Sequence, residues 1–569
     1  MNEDPALRQF VRFCLALLFL WPTLALAAPA STSSCRSLGE GTRIGDAIVL
    51  DAKAVAGGSF STPDKREFKD LPGFCRVIAT ARPSSASNIV IEIWLPDAGD
   101  WNGKLLATGN GGFAGAVRYD ALAGGIRRGY ATANTDMGTY PASLPGIGYN
   151  AGNGRPEIQK DWGYRATHEM AKLAKKIVST YYDRAASRAY YSGCSTGGHQ
   201  GLTEAQQFPE DFDAILAGAP GHNRTHLHAM FADIKRKASR PGAYFTPGQF
   251  NAWHAAMLGA CVGKDGGAPT DAFLTDPTQC LFSPRALICK PGEKSETCLT
   301  KAQADALASV YDGTRNPRTG ALIYPPAVRG TEAMLAYAFT NPAMADQPEP
   351  ADLSRWVFGP GWDPATFDFD KDMAREDQAL GPYVNALDTD LSRFAAHGGK
   401  IILFHGWADM VVSPLDTIIY FDRMHASGMK KQQYARLFMA PGMSHCTSGK
   451  GPDVFGQGAE FPAADAGHDL LAALDRWVET GKAPDQVIAR KFAVASHNGE
   501  EAAAEPSEPA EPRVTASRPL CAYPLVARYD GKGDPSQAAS FTCSKAPSAR
   551  YELPAPEYLR VWKRTDPAY

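Results

Sequence analysis

RAYYSGCSTGGHQGLTEAQQFPEDFDAILAGA, residues Arg188 to Ala219, falls into three parts. Ala189–Ser192 is short, aromatic and strand-like. Gly193–Gly198 is too rich in glycine for either regular element. From His199 the residues suit a helix, with Leu202, Ala205 and Gln206 along one side. Strand, sharp turn and helix, with Gly193-Cys194-Ser195-Thr196-Gly197 at the turn, is the context of a G-x-S-x-G nucleophile elbow. The glycines have a steric job, because Cβ atoms beside the serine would collide with the neighbouring strand and helix. The helix N-terminus then offers free N–H groups to an oxyanion. Taken alone the pattern also fits an ordinary Gly/Ser turn, so residues far from it must decide.

Those residues lie on both sides. Upstream, the buried strand Ile89–Leu95 and the strand Leu105–Thr108 lead into Gly109-Asn110-Gly111-Gly112-Phe113. A glycine run after a strand lets Gly111 or Gly112 donate one N–H to an oxyanion, with Thr196 donating the other. Downstream, Lys400–Phe404 is a strand followed by His405-Gly406-Trp407-Ala408-Asp409, and Asp409 is the acid of choice. Asp416 is a nearby competitor that starts a helix. Tyr434–Phe438 is the next strand, and His445 sits in the loop after it. The order Ser195, Asp409, His445 is that of an α/β-hydrolase triad. A further strand at Phe212–Gly218 and a helix over Asp161–Tyr182 give alternating strands and helices. The expected fold class is therefore α/β: a doubly wound, mostly parallel sheet with a large inserted lid.

Length and composition agree. The chain has 569 residues, 44% hydrophobic and 21% charged, with a net charge of −3. There is core material in plenty and no basic footprint for nucleic acid. Arg8 and Arg12 precede an apolar run and Ala25-Leu26-Ala27, which reads as a signal peptide over residues 1–27. No apolar stretch is long enough to span a bilayer. The expected location is secreted or periplasmic. Residues 28–223 and 396–569 form the core, and 224–395 the lid insertion, where the alternation breaks down. Asn498–Glu511 reads as an acidic surface loop.

Of eleven cysteines, Cys14 leaves with the signal peptide. Sequence spacing suggests Cys35 with Cys75, Cys261 with Cys280, Cys289 with Cys298, and Cys521 with Cys543. Cys194 and Cys446 are left over. They flank Ser195 and His445. If those two side chains hydrogen-bond, their neighbours must approach closely, compatible with the roughly 4.4–6.8 Å Cα separation of a disulfide. Triad and cysteine arithmetic thus predict one another.

Two other clusters can be read more than one way. Asp265-Gly266-Gly267-Ala268-Pro269-Thr270-Asp271, with Asp276 beyond, lies inside the Cys261–Cys280 span. It reads equally as a calcium loop of oxygen ligands or as a polar turn closed by a disulfide. His222, His226 and His228 have no carboxylate or cysteine at ligand spacing beside them and read as loop and helix-face residues. His168 reads as structural.

GCSTGGHQG, HGWADMVVSP, APGMSHC and RPLCAYPLVARYDGKG resemble the tannase and feruloyl esterase family of secreted α/β-hydrolases, which includes mono(2-hydroxyethyl) terephthalate hydrolase. The resemblance runs from about Cys35 to the end. It implies Ser195 as nucleophile, Asp409 as acid, His445 as base, a Cys194–Cys446 disulfide and a lid over 224–395. It implies no cofactor for the chemistry and a structural calcium in the lid. The chain departs from the family at His199, where relatives carry Arg. In the calcium loop, Asp265 and Asp271 match, but Val262 and Ala272 replace an Asp and a Gly, and extra residues follow Gly267. The expected activity is hydrolysis of a small aromatic ester through an acyl-enzyme. The rival readings are an amide or peptide hydrolase with the same triad, and a non-catalytic binding protein on a hydrolase scaffold. The sequence leaves the oligomeric state open.

Overall fold

Ten runs of apolar and β-branched residues join one sheet. They are β1 (Arg43–Ile44), β2 (Ala47–Val55), β3 (Phe74–Ala81), β4 (Ile89–Pro96), β5 (Lys104–Thr108), β6 (Ala131–Thr135), β7 (Arg188–Cys194), β8 (Ala214–Gly218), β9 (Lys400–Gly406) and β10 (Ala435–Ala440). Their order across the sheet is β1-β2-β3-β4-β6-β5-β7-β8-β9-β10. The structure, a computed structural model, describes residues 35–113, 115–139, 151–293, 296–340, 353–493, 513–547 and 551–564. The signal peptide and the acidic loop read from the sequence lie outside these residues.

Pairings from β1 through β4 to β6 are antiparallel, and all pairings onward are parallel. The physical reason is what lies between the strands. No helix separates β1 to β4, so they turn back on one another. From β5 onward helices make the crossovers that parallel strands need. These include α1 (Tyr119–Arg127), α2 (Ala166–Tyr182) and α3 (Thr196–Gln207). The first strands thus add an antiparallel wing to the doubly wound sheet.

Both faces are covered. On one, Met170, Ala174 and Ile177 of α2 and Leu202 of α3 pack on Ile215, Ile401 and Leu403. On the other, Leu471, Leu474 and Trp477 pack on Leu216, Ile402 and Phe404. Helix α3 starts at Thr196, three positions before the glycine content suggests. Its first turn holds Gly197 and Gly198 because nothing larger fits there. A Cβ on Gly198 would lie 2.2 Å from the Gly218 carbonyl oxygen, and one on Gly197 3.0 Å from that of Asn110.

Between β8 and β9 run α4 (Arg224–Ala238), α5 (Pro247–Cys261), α6 (Lys301–Val310) and α7 (Lys371–Val384). Thr246 and Thr300 close the starts of α5 and α6 with capping boxes. Leu227, Phe250, Trp253 and Leu307 form a core of their own there. At its C-terminal end the insertion is not set apart by packing, since Val384, Leu391 and Phe394 join the cluster under the central sheet. After β9 come α8 (Pro414–Arg423) and, beyond β10, α9 (Leu470–Thr480). Five disulfides join Cys35–Cys75, Cys194–Cys446, Cys261–Cys280, Cys289–Cys298 and Cys521–Cys543.

Candidate active site

Strand β7 ends at Cys194 and α3 begins at Thr196, which leaves Ser195 alone at the turn with φ 64° and ψ −119°. That conformation is costly for a residue with a Cβ, of order 1–3 kcal/mol. Three hydrogen bonds hold it. Ser195 N–H donates to the Gly218 carbonyl at 2.9 Å, and the Ser195 carbonyl accepts from His199 and Gly221 at 3.0 and 3.2 Å.

Beside it lies the loop after β5. A Cβ on Gly109 would come within 2.5 Å of the Gly197 Cα, so the glycine lets loop and helix backbones touch. Gln200 of α3 completes the join. Its side-chain oxygen accepts from Asn110 N–H at 2.9 Å, and its amide donates to Asn110 Oδ1 at 3.1 Å. Asn110 in turn donates to the Thr135 carbonyl at 2.8 Å. Among the described residues, Gly111 and Gly112 N–H have no acceptor.

Asp409 follows β9 and is fully buried. Its Oδ2 lies 2.6 Å from His445 Nδ1 and 3.0 Å from His405 Nε2. Its Oδ1 accepts from Val411 and Val412 N–H at 2.8 and 3.1 Å. Burial alone would raise its pKa. The charge of His445 and the hydrogen bonds from His405 and His445 outweigh it and hold the carboxyl well below the ordinary range. Asp416, the rival acid, stands elsewhere, 3.6 Å from His222 Nδ1.

His445 sits on a tight loop after β10. Gly406 makes room for it, since a Cβ there would meet the Met443 carbonyl oxygen at 2.3 Å. The Cys194–Cys446 disulfide, with a Cα separation of 6.0 Å, ties this loop to the elbow. Ser195, His445, Gly111 and Gly112 line one cavity of about 390 Å³, with Arg118 and Phe461 also on its wall. No direct hydrogen bond joins Ser195 Oγ to His445 Nε2. Ground-state contacts of this kind often tighten only when substrate is bound. Thr196 lies behind the wall, where its hydroxyl donates to the Gly112 carbonyl and accepts from Arg224 Nη2. Two larger clefts, of about 860 and 510 Å³, lie over Trp477 and beside Tyr523. Neither contains the serine or the histidine.

Sequence reasoning misses His405, Gln200 and Arg224. The signal for His405 is its place at a strand end, four residues before the acid. For Arg224 there is none beyond its place beside buried His222 and Asn223. His199, the departure from the family pattern, is fully buried, and burial pushes its imidazole pKa well down.

The residues offered to calcium are otherwise engaged. The Asp265 carboxylate accepts backbone N–H groups of Gly267, Thr275 and Asp276 at 3.1, 2.5 and 3.3 Å. Asp271 Oδ1 is 2.8 Å from Arg518 Nη2, and its Oδ2 accepts from Ala268 N–H at 2.9 Å. Among the described residues one set of metal-ligand types converges, His168, Glu204 and Asp211, with donor atoms within 4.8 Å of one another. Burial and the adjacent Asp211 carboxylate push the Glu204 pKa well up. Asp211 Oδ2 sits 2.6 Å from His168 Nδ1.

A family model described as tannase and feruloyl esterase matches residues 75–544. The chain is 35% identical to an uncharacterized esterase of Xanthomonas campestris pv. campestris, over 97% of each chain. It is 31% identical to a probable feruloyl esterase B-2 of Aspergillus terreus, over 82% of this chain and 86% of that one. Its fold matches a crystal structure of feruloyl esterase B from Aspergillus oryzae with a TM-score of 0.79 and 30% identity, covering 90% of this chain and 99% of the other. A tannin acyl hydrolase from Aspergillus niger shares the fold at a TM-score of 0.68 and 19% identity, over 94% and 98% of the two chains.

Proposed function

Because this chain belongs to the tannase and feruloyl esterase family and is an esterase, we propose that it is a secreted or periplasmic serine carboxylesterase for aromatic acid esters, working through an acyl-enzyme. The observation that carries the reading is the shared cavity. Ser195 and His445 line it together, the disulfide joins their neighbours, and Asp409 grips the far side of the imidazole.

The steps follow from that arrangement. His445 Nε2 takes the Ser195 proton as Oγ attacks the ester carbonyl. Asp409 fixes the tautomer with the proton on Nδ1 and stabilises the imidazolium. His405 and two backbone N–H groups hold Asp409 still. N–H groups of Thr196 and of Gly111 or Gly112 receive the oxyanion. His445 then protonates the leaving alcohol and activates water for deacylation. Esterases of this family need no cofactor for this chemistry. The small-molecule substrate is an ester of a hydroxybenzoic, hydroxycinnamic or terephthalic acid. Five disulfides support an oxidising compartment. A panel of gallate, ferulate and terephthalate monoesters, with matched amides, tests this. Turnover of at least one aromatic ester well above its amide is expected. Faster amide cleavage, or no turnover of any ester, would reject it.

The tether between elbow and histidine loop gives a separate expectation. The disulfide closes 252 residues, so replacing both cysteines by serine should cost roughly 2–5 kcal/mol of stability. It should also lower kcat, as the histidine loop loses its anchor. Denaturant titration and steady-state kinetics read the two effects. Unchanged kcat would mean that the loop holds its place unaided.

For the lid loop we propose that Arg518, not a cation, neutralises Asp271. The Asp265 carboxylate is already saturated by N–H groups, and a guanidinium at 2.8 Å from Asp271 would repel a divalent ion. The residues do not fit calcium. Arg518 is itself buried and lies over the Phe541 ring at 3.7 Å. Removing one partner of a buried pair costs about 3 kcal/mol or more, so Arg518→Met should be clearly destabilised. EDTA should leave the melting temperature of the unaltered protein where it was. A fall on chelation would assign a cation to the loop after all.

A further inference from the structure

Arg224 is the first residue of α4 and of the lid insertion, yet its side chain runs back into the core and is only 5% exposed. Its surroundings are unusual for a cation. Among the described residues no carboxylate forms an ion pair with it, and its Nε has no partner. The guanidinium lies 5.1 Å from the centre of the Trp162 ring. Burial lowers its pKa to about 10, which still leaves it charged at neutral pH. Burying a charge without an anion is expensive, so its retention calls for a use.

Its side-chain hydrogen bond to Thr196 points to that use. Nη2 donates to Thr196 Oγ1 at 3.0 Å, and the same hydroxyl donates onward to the Gly112 carbonyl. Thr196 opens α3, and Gly112 belongs to the glycine loop. One guanidinium therefore holds both walls of the oxyanion hole through a single hydroxyl. The backbone behind it is pinned too. Thr225 N–H donates to Asn385 Oδ1 at 3.0 Å, and Thr225 Oγ1 donates to Asp377 at 2.6 Å. Gly221 makes the room, since a Cβ there would lie 3.2 Å from Nη2.

We infer that Arg224 is a positioning residue for ester hydrolysis: it locks Thr196 and the Gly112 loop in register, and its unneutralised charge sits one hydrogen bond from the site where negative charge develops. The inference rests on the Ser195 acyl-enzyme reading above. The missing anion is the tetrahedral oxyanion, present only in the transition state. Such an interaction changes kcat more than KM, because substrate in its ground state carries no charge there.

The test compares Arg224→Met, which keeps volume and loses charge and donor, with Arg224→Lys, which keeps charge. Arg224→Met should lose about 10- to 100-fold in kcat with KM moving less than about threefold, in the range for a weakened oxyanion donor. Arg224→Lys should recover part of that loss. Circular dichroism and melting curves report whether each variant folds, and Arg224→Lys carries the test if the methionine variant does not. Stoichiometric labelling of Ser195 by an organophosphonate is measured alongside in the unaltered protein. Absence of labelling would defeat the acyl-enzyme reading itself. Labelled Ser195 with unchanged kcat in the folded variants, or a loss carried by KM, would overturn the role of Arg224 alone.

Discussion

Replacing Ser195 by alanine is expected to cut kcat for a small aromatic ester by about 10⁴- to 10⁶-fold, the scale seen when a serine hydrolase loses its nucleophile. What remains is the contribution of oxyanion donors and binding, because Gly111, Gly112 and the start of α3 are untouched. Stability gives a second signature at the same position. Alanine keeps the Cβ and therefore the strain of φ 64°, so its stability should stay within roughly 0.5 kcal/mol of the unaltered protein. Glycine relieves the strain. Ser195→Gly should be as inactive as the alanine variant yet more stable by about 1 kcal/mol, less what glycine gains in unfolded-state freedom. Denaturant unfolding and ester kinetics on the two variants check both halves. Retained turnover in either would remove Ser195 from the mechanism.

Asp409→Asn is expected to lower kcat by about 10⁴-fold through the wrong imidazole tautomer. The geometry dictates which way the amide turns. One oxygen of Asp409 accepts from Val411 and Val412 N–H, so the asparagine oxygen must stay there. The amide nitrogen then faces His445 Nδ1 and His405 Nε2, where the carboxylate oxygen stood. A donor in that place makes His445 Nδ1 the acceptor and moves the ring proton to Nε2, which can no longer take one from serine. Stability carries a pH signature as well. Asp409 is held well below the ordinary carboxyl pKa, so what it contributes is fully present above about pH 4 and lost as the pH falls through its lowered folded value. The stability gap between Asp409→Asn and the unaltered protein should therefore narrow toward strong acid. A variant with near-normal kcat would show that another group orients the imidazole.

Local chemistry explains which features the sequence reveals. The elbow is legible because glycines crowd one serine between a strand and a helix, and because Asp409 and His445 each follow a buried strand. The leftover cysteines are legible because they flank those residues. Where α3 begins is not, since the glycines of its first turn answer to close contacts with Gly109, Asn110 and Gly218 elsewhere in the chain rather than to a break in the helix. Likewise the antiparallel wing depends on which strands lack a helix between them. His405 acquires its part only when the turn after β9 folds it back on Asp409. Arg224 shows the limit most clearly. A basic residue at the start of a helix usually marks a surface, and only the packed structure turns it inward against Thr196. The acidic loop at Asp265 and Asp271 is the converse case, because the partner of Asp271 is Arg518, nearly 250 residues away, which spacing does not reveal.

The most direct test of the central claim is peptide mapping of the protein after reaction with an organophosphonate ester. One adduct per chain is expected, on the peptide holding Ser195, with ester hydrolysis falling in proportion to labelling. An unlabelled Ser195 in a chain that still hydrolyses esters, or an inactivating adduct on another residue, would contradict it.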